Sequence, residues 1–186
     1  FWNKYNTMNK LFTRFDRLAR EAGVSRNTKA SVEWFRRYIR KIGNIRSHEK
    51  VTEGLKTKNK VTPGEMVTYV YDAKYKDKLP YWDKFPLIVV LEFTKDGWYG
   101  LNLHYLPPSV RAKVLAELSV TRKNLMQIRS ALEKDARLKV CLKRYLAKQA
   151  VTEMSIIPKS EWEIAIQLPF ENFIGATAKK VWSQRK

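Results

Sequence analysis

Two apolar runs joined by a short turn, PLIVVLEF at 86–93 and WYGLNLHYL at 98–106, constrain this chain more than any other feature. Runs of this length, rich in β-branched and aromatic residues and bounded by turn residues, specify strands rather than helices. Between them, Thr94-Lys95-Asp96-Gly97 supplies an Asp-Gly hairpin turn, because Asp and Gly tolerate the positive φ that such a turn asks of its central residues. Pro107-Pro108 ends the second run. Upstream, Val67, Tyr69 and Tyr71 alternate against Met66, Thr68 and Val70, giving a third strand of the same kind. The centre of the chain is therefore a β-unit.

On either side the period changes. Met8, Leu11, Phe12, Phe15, Leu18, Ala19 and Ala22 recur at helical spacing, with Gly23 as a stop. A second helix has Asn27 or Thr28 as its cap, Val32, Phe35, Ile39 and Ile42 as its apolar stripe, and Gly43 as its end. Its opposite face carries Arg36, Arg37, Arg40 and Lys41. Residues 44–62 show no period and no apolar cluster, which predicts a mobile cationic arm bearing Arg46, Lys50, Lys56, Lys58 and Lys60. Beyond the prolines, Val110, Val114, Leu115 and Leu118 predict a short helix. Leu138, Cys141, Leu142, Tyr145 and Leu146 predict a longer one, ringed by Lys139, Lys143, Arg144 and Lys148. VTEMSII at 151–157 reads as a strand. SEWEIAIQLP is open between two readings: Ser160 and Glu163 fit a capping box, whereas Trp162, Ile164, Ile166 and Leu168 alternate as in a strand. Trp162 and Phe173 read as core.

The expected architecture is α+β, a small antiparallel sheet or partly open barrel from 65–106 and 151–168 flanked by basic helices. Its expected divisions are basic N-terminal helices over 1–43, a cationic linker or arm over 44–64, an α+β core over 65–174 with a helical insertion at 108–150, and a basic tail over 175–186. An apolar fraction of 44% and 12% aromatics suffice for one such core.

Charge separates along the same divisions. The net charge of +19 resolves into +11 over residues 1–60, −1 over 61–110 and +9 over 111–186. So large an imbalance repels itself unless a polyanion belongs to the working state. Lys and Arg neutralise phosphates without any sequence code, and Trp34, Tyr38 and Tyr145 stand among the basic residues where they could stack on bases or serve as core. No motif for base-specific reading occurs. Acidic protein surfaces would suit the same charge.

Other chemistries find little footing. One cysteine, Cys141, cannot form an internal disulfide and fits a reducing compartment. With two separated histidines it makes no usual zinc set, so no metal and no cofactor is expected. His104, between Leu103 and Tyr105, reads as a packed or hydrogen-bonded sheet residue, and His48 as a solvated one. Ser109 lacks a nucleophile elbow, and neither glycine-rich phosphate loop is present. The one catalytic alternative is a Mg²⁺-dependent nuclease built on Asp72-Ala73-Lys74 with Glu65. Against it, Asp72 reads as part of a surface turn in which Asp77 and Asp83 pair with Lys74, Lys76, Lys78 and Lys84. No run is long and apolar enough to span a bilayer, and FWNKYNTMNK lacks the apolar region of a secretory signal.

The stretch YVYDAKYKDKLPYWDKFPLIVVLEFTKDGWYGLNLHYLP resembles a block found in small virion-associated proteins of large contractile-tailed bacteriophages, of the form Y-D-x-K, L-P-Y-aromatic-D-x-F-P-L, D-G-aromatic-x-G-L-N-x-H-Y-L-P. Trp82 and Trp98 occupy the variable aromatic positions. The resemblance extends to SVEWFRRYIRKI upstream and to CLKRYL and EWEIAIQLP downstream. Some members resemble DNA end-protector proteins at the head-to-tail junction. The resemblance therefore implies a non-enzymatic virion protein, assembled in the host cytoplasm, present in multiple copies in a symmetric assembly and contacting double-stranded DNA. Its DNA-binding residues would be Arg36, Arg37, Arg40, Lys41, Arg46, Lys50, Lys56, Lys58, Lys60, Lys139, Lys143, Arg144 and Lys148. The alternative is an adaptor in the neck, portal or baseplate, whose apolar loop of Leu79, Pro80, Tyr81, Trp82, Phe85 and Pro86 inserts into neighbouring virion proteins.

Overall fold

The computed structural model describes residues 9–42, 47–120 and 124–184, the side chains of 118–120 excepted. Two helices open it, α1 (Lys10–Glu21) and α2 (Lys29–Ile42). The Asn9 side chain caps α1 by accepting from the Leu11 and Phe12 N–H groups. Its amide also donates to the Val51 and Glu53 carbonyls at 2.6 and 2.8 Å, so one side chain starts α1 and closes the short helix at His48–Thr52. Gly23 follows α1 at φ +68, as its stop role requires. Thr28 rather than Asn27 caps α2, its hydroxyl accepting from the Ser31 N–H at 3.1 Å. Met8, Gly43 and Arg46 lie outside the described residues.

The central sheet is six-stranded and antiparallel throughout. Its strands are β1 (Thr57–Lys58), β2 (Met66–Thr68), β4 (Leu87–Phe93), β5 (Gly97–Asn102), β6 (Leu142–Leu146) and β7 (Met154–Ile157), in the order β1-β7-β2-β4-β5-β6. A second sheet pairs β3 (Trp82–Asp83) with β8 (Phe173–Ile174). The α+β class holds, but the sheet is open, with β1 and β6 as its two edges, and forms no barrel. The remaining helices are α4 (Pro108–Val120), α5 (Leu125–Lys134), α6 (Trp162–Ala165) and α7 (Ala178–Ser183), with α3 (His48–Thr52) before β1. Pro108 opens α4 at the position where its missing N–H costs nothing.

Four expectations change. Residues 47–62 are not a loose arm: Ser47 caps α3, Val51 and Val61 are buried, and β1 pairs with β7 through Thr57–Ser155 and Lys58–Met154. Elements this short carry no period to read. The helix expected over 138–148 is a 3₁₀ turn at Lys139–Cys141 followed by β6, because β5 would otherwise present Gly97–Leu101 as an unpaired edge. The short helix expected around 110–118 forms as α4, and the second helix of that insertion lies earlier than expected, at α5, capped by Asn124. Over 159–165 the chain turns through a 3₁₀ segment into α6, so the alternating pattern makes no strand, and no side chain caps α6. Glu163 is instead drawn to Arg26 Nε at 3.0 Å, to the Asn27 N–H at 3.0 Å and to Ser31 Oγ. Finally, the 94–97 turn forms, with the Thr94 N–H donating to the Gly97 carbonyl at 2.9 Å, yet neither Asp96 nor Gly97 has positive φ. Gly97 is needed for proximity, since a Cβ there would stand 1.8 Å from the Tyr145 carbonyl oxygen.

Alternation sorts the sheet into two unlike faces. Met66, Leu87, Val89, Leu91 and Leu101 point to the side covered by helices, where Phe12, Phe15, Phe35, Ile39 and Leu132 meet them. Val67, Tyr69, Ile88, Val90, Trp98, Tyr145 and Met154 point to the other side, closed by Val61, Tyr71, Ala73, Ala150 and Trp82.

Candidate nucleic-acid interface

The α2 register decides which cations are available. Ser31, Phe35 and Ile39 are buried, which leaves Arg37, Arg40 and Lys41 exposed and Arg36 half-buried. None of the four forms an ion pair among the described residues. Arg40 and Lys41 sit in the last turn, where a positive charge suits the helix dipole. Trp34 and Tyr38 stack on each other with centroids 4.8 Å apart, and Tyr38 meets Phe15 edge-on, so both serve the helical layer rather than stand free for bases.

Elsewhere many cations already have carboxylate partners. Arg26 binds Asp16 at 2.7 Å and Glu163 at 3.0 Å, and reaches Glu161 at 3.9 Å. Burial raises Asp16's pKa, but this is outweighed by Arg20 and Arg26, which hold its carboxyl below the usual range. For Glu161, burial dominates and raises its pKa. Arg129 holds Glu92 and Glu133, and Arg111, wholly buried, meets Glu171 at 3.1 Å and donates to the Leu106 and Ile166 carbonyls. The exposed cations of α2 are thus among those that no carboxylate of the described residues holds, unlike Arg26, Arg111 and Arg129.

The other expected DNA contacts fall in two further places. Lys50 on α3 and Lys56 and Lys60 beside β1 are exposed, whereas Lys58 is held by Glu65 and Thr62. Lys139 and Lys148 are exposed on the 3₁₀ turns that bracket β6, not on a helix. Within β6, Arg144 bonds Asp96 at 2.6 Å, while Lys143 places its ammonium 4.0 Å from the Tyr105 ring centroid. Burial pushes the Lys143 pKa down.

The apolar segment 79–86 is exposed only at its start. Leu79 and Pro80 are open, Tyr81, Trp82 and Phe85 half-buried, and Pro86 buried. Trp82 pairs with Ile174 in the second sheet, Tyr81 packs on Tyr105 and Phe173, and Phe85 stacks on His48 at 4.5 Å. Most of the segment is thus fastened to this chain.

Asp83 departs furthest from expectation. It belongs to no surface turn and pairs with no lysine: it is buried, accepting from the Phe85 and Asn172 N–H groups, from Asn102 Nδ2 at 3.0 Å and from His104 Nδ1 at 2.8 Å. Asn102 also donates to the Tyr145 hydroxyl at 2.9 Å, and its side-chain oxygen accepts from the His104 N–H. His104 is packed and hydrogen-bonded as expected, but on a 3₁₀ turn at Leu103–Tyr105 rather than a strand. Asp83, Asn102 and His104 of the aromatic, proline-rich block thus converge on one buried network. What could have revealed it is that Asp83, Asn102 and His104 interrupt otherwise apolar runs, and buried polar groups require partners.

The nuclease residues are not assembled. Asp72 pairs with Lys76 at 3.1 Å and Glu65 with Lys58. Among the described residues no group of three or more His, Cys, Asp or Glu is placed to hold a metal ion, and no helix is long and apolar enough to cross a membrane.

Compared with known proteins, residues 3–185 match the family described as Phage T4 terminal DNA protecting protein. No curated protein and no solved structure matches the chain.

Proposed function

This chain belongs to the phage T4 terminal DNA protecting protein family, and from that membership we propose that it is a virion protein that binds the packaged DNA near its end, at the head-tail junction, without reading sequence. Protection of this kind requires occupancy, not turnover. The observation that carries the reading beyond the family is α2, where Arg37, Arg40 and Lys41 are exposed and, among the described residues, have no carboxylate partner, whereas Arg26 and Arg144 do. Counterion release from phosphates favours such a row whatever the base sequence. Lys50, Lys56 and Lys60 extend the same chemistry along α3 and β1.

The test is the salt dependence of affinity for linear duplex DNA. Each phosphate contact adds about 0.9 to the slope of log affinity against log salt, so replacing Arg37, Arg40 and Lys41 together by Gln lowers the slope by about 2–3. At moderate salt that change weakens binding on the order of 10- to 100-fold. Wild-type protein that binds no DNA at about 50 mM salt overturns the reading and favours the adaptor role through residues 79–86.

A further inference from the structure

Beside the exposed residues 74–79 lies a cavity of about 300 Å³ whose walls are largely aromatic. Tyr71, Trp82, Tyr105 and Tyr145 line it, and Tyr75, 54% exposed, stands at its rim. The walls are fixed by their own contacts. Tyr71 meets Tyr145 edge-on at 5.0 Å and Trp82 edge-on at 6.5 Å. The Tyr71 hydroxyl accepts from the Leu146 N–H, and the Tyr145 hydroxyl accepts from Asn102. Gly175, at φ +89, lets the 80–82 backbone close over the second sheet, since a Cβ there would come within 2.6 Å of the Pro80 carbonyl oxygen. A cavity built of rings already locked in place loses little freedom when it is filled.

Its charge is equally specific. Lys143 lines the cavity over the Tyr105 ring and has no carboxylate partner among the described residues, and Lys74 lies above Tyr75 at 5.2 Å. Asp83 also reaches the cavity, but its oxygens are occupied by four N–H donors. A half-buried ammonium without a counter-charge, framed by aromatic faces, calls for a flat ring carrying an anion. One nucleotide has that form: bases stack on aromatic side chains irrespective of sequence, and the phosphate supplies the charge.

Size then selects where on DNA that nucleotide comes from. About 300 Å³ is at the small end of ligand sites and admits one base, not a base pair. A base inside a duplex must be unpaired and unstacked to enter such a pocket, whereas the last base has a stacking neighbour on one side alone and opens at least cost. The geometry points to this cavity as the seat of a single unpaired terminal nucleotide, its base set against Trp82 and Tyr75 and its phosphate met by Lys143. This rests on the DNA-binding reading above and gives it a source of preference for ends, which the α2 cations do not supply.

The experiment compares a short duplex with open, 5′-phosphorylated ends to the same duplex closed at both ends by hairpin loops. The open duplex carries 2-aminopurine at each terminal position in turn. Wild-type protein binds the open duplex on the order of tenfold more tightly, with a change in fluorescence of the terminal base. Tyr75→Ala, at an exposed position that leaves the fold intact, and Lys143→Gln each bring the open-to-closed ratio towards one and abolish the fluorescence change, and closed-duplex affinity after Tyr75→Ala stays as in wild type. Equal wild-type affinity for both duplexes overturns the terminal seat although DNA binding stands. Variants that weaken both duplexes alike also overturn it. Failure to bind either duplex removes the DNA reading itself, and this inference with it.

Discussion

The helix-covered face of the sheet is aliphatic and closed by Phe12, Phe15, Phe35 and Ile39, whereas the opposite face is aromatic and is tied to a polar network at Asp83. The first face can be satisfied by any residues of suitable volume, because burial of apolar area is non-directional. The second cannot, because Asp83, Asn102, His104 and Tyr145 each need a partner at a fixed distance and direction. That difference explains why the aromatic, proline-rich block reads as a recognisable string: its Asp, Asn and His meet one another. It also explains why the cavity lies on that side, since rings braced edge-on leave space that interdigitating aliphatic chains would fill.

A substitution on each face tests the contrast, and the largest effect is expected from the polar one. Asp83→Ala removes the acceptor for four N–H donors in a buried site, with an expected loss of about 3–5 kcal/mol in chemical denaturation. Leu101→Ala on the aliphatic face leaves a cavity worth about 3 kcal/mol. If Leu101→Ala proves clearly the more damaging of the two, the network is not what organises the aromatic face. A smaller probe is Tyr145→Phe, which removes one acceptor from Asn102 but leaves it bonded to Asp83, at an expected cost of about 1 kcal/mol.

The aliphatic face was the more legible in sequence. α1 and α2 announce themselves because Phe12, Phe15, Phe35 and Ile39 recur at helical spacing, and β4 and β5 because an apolar run so bounded has few alternatives. The spacing of Leu138, Cys141, Leu142, Tyr145 and Leu146 misled for a physical reason. Apolar residues at that spacing satisfy a helix, while the need of β5 for a neighbour, which decides in favour of β6, is not local. Asp83 misled similarly. Four lysines stand near it in sequence, but its partners Asn102 and His104 lie 19 and 21 residues away and are delivered by the β4–β5 hairpin. Of the candidate DNA contacts, the exposure of Arg37, Arg40 and Lys41 follows from the α2 period, whereas the pairing of Lys58 and Arg144 with Glu65 and Asp96 depends on tertiary neighbours and is out of reach of sequence.

His48 joins the two regions and offers the mildest test of their dependence on each other. Read from sequence as a solvated loop residue, it lies instead on α3, stacked on Phe85 from the aromatic block and bonded to Thr68 Oγ1 at 3.0 Å. Burial first, and then the nearby His104, push its pKa down to about 4, with Asp83 opposing them. A histidine with a depressed folded pKa binds its proton more tightly when unfolded. Its contribution is therefore complete above about pH 6.5 and is lost as the pH falls towards 4. Glu161 runs the other way, because its raised pKa favours the folded state as it takes up a proton. The informative quantity is therefore the difference between wild type and His48→Gln. The variant's thermal midpoint should fall less steeply than that of wild type between pH 6.5 and 4, with the two slopes equal above that range. Parallel curves across the whole range would mean that His48 is open to water, and that α3 and the aromatic block are joined by contact area alone.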